Sequence, residues 1–181
     1  MDNTIRDFMA ARRFIGSKDR TAIVERVYRI MRSHARLGWW IVQGGMTDTS
    51  RARVLADFVI NEKADEETLE GVFTGDRHQA DPLDAQEMAF AEFLYGKPLT
   101  DPTMPVEIRC ECPDWAAEKL HALFGDEFEP QLFAMIDPAP LDLRVNTVKG
   151  SVDEAIESLK KDKVRVEKTM YSPVALRAQG K

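Results

Sequence analysis

The sequence predicts a mainly α protein: a bundle of short helices over residues 1–100, followed by a small, incomplete α/β (α+β) extension over 105–181. Three observations carry this. Apolar residues recur at three- and four-residue spacing in successive segments up to about residue 96. Four prolines then crowd GKPLTDPTMPVEIRCECP, a spacing no helix runs through, so this stretch reads as a linker beginning near Gly96. Beyond residue 140, alternating apolar and polar residues flank a capped helical segment.

The first helix is expected over 3–15, with Ile5, Phe8, Met9 and Ala11 on one side and Gly16 as its stop. Ser17 is placed to cap the next helix, with Asp19 in its first turn. In that helix Ala22, Ile23, Val24, Val27, Tyr28, Ile30, Met31 and Ala35 make a broad apolar face. Arg29, Arg32 and Arg36 follow one stripe on the other side. Trp39 and Trp40 read as core or packing residues before a turn at Gly44 and Gly45. Helices are then expected over 50–61, with Val54, Leu55, Phe58 and Val59 inward, over 66–73, and over 84–95, with Met88, Phe90, Ala91 and Leu94 packing. Gly75 to Pro82 is a polar loop.

After the linker, helices are expected over 114–123 and 127–136, with Leu132, Phe133 and Met135 available to the core. Leu141–Val145 reads as a half-buried strand. Ser151 with Glu154 three residues on is a capping box for a helix over 152–161. Val164 and Val166 begin a second strand. Two strands alone leave edges that something must cover.

With 44% apolar and 31% charged residues, 181 residues can bury a core, and wholesale disorder is not expected. No stretch approaches the roughly 20 apolar residues of a membrane span. The amino terminus has no apolar signal core, and only Cys110 and Cys112 are present, so a reducing cytoplasm is the expected location. The net charge of -6 is unevenly spread. Residues 1–36 carry a balance of +5, residues 37–130 of -13 and residues 131–181 of +2. A basic end can bind a polyanion while the acidic middle limits indiscriminate binding. A solvated helix face has the same composition.

Chemistry-bearing motifs are sparse. CEC spaces its cysteines too closely for the usual zinc pair, and His34, His78 and His121 are scattered. Glu111 and Asp114 are near each other, but Asp114 beside Pro113 reads as a helix-terminus residue. No Walker or dinucleotide glycine loop occurs. No catalytic, metal-binding or cofactor-binding residue is therefore assigned.

Particular strings are more specific. RRFIGSKDRTAIVERVYRIMRSHARLGWW (12–40), ECPDWAAEKLHALFG (111–125), APLDLRVNTVKGSVDEAIESLKKD (139–162) and YSPVALR (171–177) resemble, in order, segments of the RsmB/NOP2/Sun family of ribosomal RNA cytosine-C5 methyltransferases. The resemblance implies a NusB-like helical RNA-binding domain over 1–100, lacking its first helix. It also implies a small α/β extension over 105–181 that precedes a Rossmann-like catalytic domain. It places the S-adenosylmethionine site and the two catalytic cysteine motifs carboxy-terminal to YSPVALR, so no catalytic role passes to Cys110 or Cys112. What is left for this chain is positioning of ribosomal RNA. Arg12, Arg13, Lys18, Arg20, Arg29 and Arg32 are the expected RNA contacts, with salt bridges to acidic helices as their other possible use. Arg144, in the LRVN strand, faces RNA or braces the missing domain. Trp115 is expected as a core anchor. The alternative function is a non-catalytic protein-interaction module with a NusB-like fold.

Overall fold

The computed structural model describes residues 2–77 and 79–179. It is mainly α, with a small three-stranded antiparallel sheet near the carboxy terminus. Two compact units divide between Ile136 and Asp137. The boundary expected near residues 100–105 lies within the first of them.

The first unit opens with α1 (Asp2–Ala11) and α2 (Ser17–Arg32). The α2 cap is Gly16, in extended conformation and with no side-chain hydrogen bond, rather than Ser17. The long helix expected through Arg36 is broken at Ser33, and α3 (His34–Gln43) begins afresh. Next come α4 (Ser50–Ile60), α5 (Glu66–Val72) and α6 (Ala85–Leu94). Thr49, Asp65 and Asp84 cap these three through their side chains, and Asp84 closes a capping box with Glu87.

The core lies among α3, α4 and α6. Leu37, Ile41, Leu55, Ala56, Phe90 and Leu94 are fully or almost fully buried there. The inward Leu55, Phe58 and Val59 follow the expected helical spacing, whereas Met88 faces solvent. Trp40 is buried, meets Trp39 edge-on at 4.7 Å, and donates its indole N–H to the carbonyls of Pro98 (3.1 Å) and Leu99 (3.3 Å). Gly44 lies against Phe90, where a Cβ would come within 2.5 Å of the ring.

The proline-rich segment is no free linker. Met104 is buried in the helical core, and α7 (Val106–Arg109) packs on α3. Glu111 reaches the break at Ser33. Its carboxylate accepts the backbone N–H groups of Ala35 (2.6 Å) and Arg36 (3.1 Å) and the Arg36 side-chain Nε–H (2.9 Å). Arg36 is buried and also donates to Thr100 (3.0 Å) and the Arg32 carbonyl (3.2 Å). Each of the three nitrogens of its planar fork thus meets an acceptor.

A second small core joins Cys110 and Cys112 to Phe128 and Leu132 of α9 (Phe128–Ile136), with Ala117, Leu120 and Phe124 of α8 (Asp114–Phe124) packed against it. Arg109 grips Glu129 with two 3.0 Å hydrogen bonds. His121 stacks on Phe128 at 3.6 Å and bonds Glu107 at 2.9 Å. Trp115 is 82% exposed, which overturns its expected place in the core. Leu123 and Met135 are exposed as well.

The second unit is a split β-α-β arrangement. β1 (Asp142–Arg144) leads into α10 (Val152–Lys161), then β2 (Val166–Lys168) and β3 (Ala175–Ala178). β3, absent from the sequence reading, is the central strand and pairs antiparallel with both others. β1 and β2 therefore run parallel to each other, joined by the helical crossover that parallel strands require. The Leu143↔Leu176 pair sets the apolar face, and Leu176 is 1% exposed. On the other face Arg177 clamps Asp142, its cross-strand partner, at 2.7 and 2.8 Å. The Ser151–Glu154 capping box forms as expected.

Candidate nucleic-acid interface

The turn between α1 and α2 gathers cations by main-chain geometry. Arg12 accepts the Ile15 N–H through its carbonyl, and its guanidinium lies 3.7 Å from the centre of the Phe8 ring. Arg20 reaches back to the Ile15 carbonyl at 2.9 Å and to the Arg12 carbonyl at 3.5 Å. Arg12 and Arg20 are thereby brought to one turn, and both are half-exposed. Arg13 and Lys18 flank it, both exposed. Lys18 and Arg20 also occupy the first turn of α2, the positive end of the helix, so the local potential is more positive than the side chains alone make it.

Arg29 is used differently. It donates to Asp57 at 2.7 and 2.5 Å, and it also bonds Glu62. Asp57 is fully buried on α4, and a buried carboxylate needs such a partner. Arg26 completes the cluster with a 2.7 Å bond to Glu62 and a guanidinium 3.6 Å from the centre of the Phe58 ring. The Asp57 hydrogen bond, chiefly, raises the Arg29 pKa further above its ordinary value. Of the two readings of Arg29, the structure thus displays the salt bridge.

Arg32, half-exposed at the other end of α2, is about 21 Å along the axis from Lys18 at 1.5 Å per residue. The stripe expected through Arg29, Arg32 and Arg36 is dissolved, because Arg36 is buried on α3 against Glu111. Arg144 is exposed on β1 in the second unit. Spacing alone missed Lys149, which shares an open groove with Arg144. The only signal for it was the Lys149-Gly150-Ser151 step before the capping box.

The remaining candidates are structural. Cys110 and Cys112 are 3% and 7% exposed. Burial pushes the Cys110 thiol up to about 11 and raises that of Cys112 as well, which opposes formation of a nucleophilic thiolate. Glu111 serves the start of α3, and Asp114 begins α8. Among the described residues no three His, Cys, Asp or Glu side chains come together to hold a metal; His78 lies outside those residues. No described helix is long and apolar enough to cross a membrane.

Residues 112–181 match the family model described as "Methyltr_RsmF/B-like, ferredoxin-like domain". The split β-α-β unit lies within that match. No curated protein matches the sequence. Among solved structures, the crystal structure of PH0851 is similar with a TM-score of 0.59 and 21% sequence identity, over 97% of this chain. This chain spans 43% of that one.

Proposed function

We propose that this chain, whose residues 112–181 match the RsmF/RsmB-like ferredoxin-like domain, is the RNA-binding, substrate-positioning part of a cytoplasmic S-adenosylmethionine-dependent ribosomal RNA (cytosine-C5) methyltransferase. The family match carries the reading. The cationic turn between α1 and α2 supports it, since phosphate contacts supply orientation rather than chemistry. In this reading the amino-terminal helices are the NusB-like domain. Arg12, Arg13, Lys18, Arg20 and Arg32 contact phosphates, Arg144 adds a contact from β1, and Arg29 holds Asp57. No residue here is assigned to hold the methyl donor, and the buried, high-pKa cysteines do not fit attack on a cytosine.

A titration of the full chain with a small-subunit ribosomal RNA fragment tests this. Binding should be saturable and should weaken in the R13A/K18A variant. RNA binding that ignores both substitutions contradicts the assigned surface. A second reading, a protein-interaction module, is favoured by the exposed Trp115, Leu123 and Met135 on α8 and α9. It requires salt-insensitive binding to a protein and none to RNA.

A further inference from the structure

The connection between α1 and α2 is a hydrogen-bonded turn: the Ile15 N–H donates to the Arg12 carbonyl at 3.1 Å, and Arg13 and Phe14 are its two central residues. Arg20 braces both corners, donating to the Ile15 carbonyl at 2.9 Å and to the Arg12 carbonyl at 3.5 Å. The tip of this braced turn is not polar throughout. Phe14 is 75% exposed beside exposed Arg13, with exposed Lys18 four residues on. Singly exposed apolar residues are ordinary. A phenyl ring presented from a fixed turn among cations is a narrower combination. Within the same hairpin an aromatic ring already carries a planar group, since the Arg12 guanidinium sits over Phe8, 3.7 Å from the ring centre.

We infer that this turn selects unpaired over duplex RNA, stacking one base on the Phe14 ring while Arg13 and Lys18 meet the adjoining phosphates. The inference rests on the RNA reading and names the form of RNA that the cationic turn takes. Bases inside a duplex have both faces covered by their neighbours, so the ring stacks only on a base that has left the helix. Residues 12–20 hold Arg12, Arg13, Lys18 and Arg20 against the single carboxylate of Asp19, which lies by Gly16 at the α2 end of the turn. The local charge therefore favours a polyanion. A purely apolar partner would cover Phe14 but would also take these cations out of water uncompensated. A single strand offers phosphates to the cations and a π face to the ring together, and any of the four bases serves, because each has such a face. Bracing by Arg20 fixes the turn before binding, so little ordering is left for the encounter.

The test titrates the full chain with an unstructured RNA decanucleotide and, separately, with the same strand annealed to its complement. The single strand should bind about tenfold more tightly than the duplex, the scale of one stacked base. Phe14→Ala should remove that preference, weakening the single strand about tenfold and leaving the duplex unchanged. Phe14→Leu, which keeps apolar bulk without a π face, should behave like Phe14→Ala, and Phe14→Trp should restore the preference. Aromatic NMR of the parent should show the Phe14 ring resonances, identified by their loss in the alanine variant, moving upfield with the single strand. The urea midpoint should not change in any of the three variants. Equal affinity for the two RNA forms, parental behaviour of Phe14→Leu, unmoved ring resonances, or a lowered urea midpoint in Phe14→Ala each overturns the inference. RNA binding that R13A/K18A weakens and Phe14→Ala does not sinks the stacking role and leaves the RNA reading standing. No RNA binding by the parent overturns both and leaves the ring to a protein partner.

Discussion

Glu111 and Arg36 join the proline-rich segment to the start of α3: one carboxylate accepts two backbone N–H groups and the Arg36 Nε–H. Glu111 holds this position with a φ of 55°, a conformation that is uncommon outside glycine. The Glu111→Ala variant leaves a buried guanidinium and two helix-start donors without their acceptor. It should cost the first unit about 3–5 kcal/mol in urea unfolding, with Glu111→Gln intermediate. A loss under about 1 kcal/mol would mean that the contact is dispensable.

Asp57 makes the matching test on α4. Asp57→Asn retains the shape but leaves Arg26 and Arg29 without their buried counter-charge. Destabilisation of about 3 kcal/mol is expected. An Arg29→Ala variant should be destabilised too. If Arg29 instead contacted only RNA, its removal would leave the urea midpoint unchanged.

Acid should release a third contact. The Arg51 hydrogen bond, chiefly, holds the Glu87 carboxyl below its ordinary 4.5. A depressed native pKa means that the stabilisation is complete above the unfolded value and is lost as pH falls through the folded one. The gap in unfolding free energy between the parent and Glu87→Gln should be full at about pH 7 and close progressively below about pH 4.5. A gap that is constant from pH 7 to pH 3 would contradict this.

Packing sets two further expectations. Gly44→Ala drives a methyl into the Phe90 ring and should destabilise the helical unit by about 1–3 kcal/mol. Leu176→Ala removes the buried centre of the sheet, at a cost of about 2–5 kcal/mol. Hydrogen exchange should then show lost protection in β1, β2 and β3 while α3 and α4 keep theirs. Equal loss in both units would contradict their separate cores.

What could be read in advance was local. Period 3.6 placed Leu55, Phe58 and Val59 inward, and the Ser151–Glu154 spacing marked a capping box, because both depend on neighbours within one turn. The break at Ser33 was hidden because its acceptor, Glu111, lies 76 positions from Ala35. β3 was missed because a four-residue strand just after Pro173 carries little periodicity, and its partners lie elsewhere in the chain. Arg29 and Arg32 share one helical stripe, so spacing does not separate them; only Asp57 and Glu62, brought by α4 and the turn after it, do so. Trp115 was expected as a core anchor, but it is 82% exposed.

The most direct measurement is the salt dependence of RNA affinity for the full chain, beside that of the R13A/K18A variant. For single-stranded contacts the slope of log K against log salt is about -0.7 per neutralised phosphate. The positioning account requires a negative slope in the parent that flattens by about 1 to 1.5 in the variant, together with weaker binding. No binding at low salt, or identical slopes in the two proteins, would contradict RNA positioning by this surface.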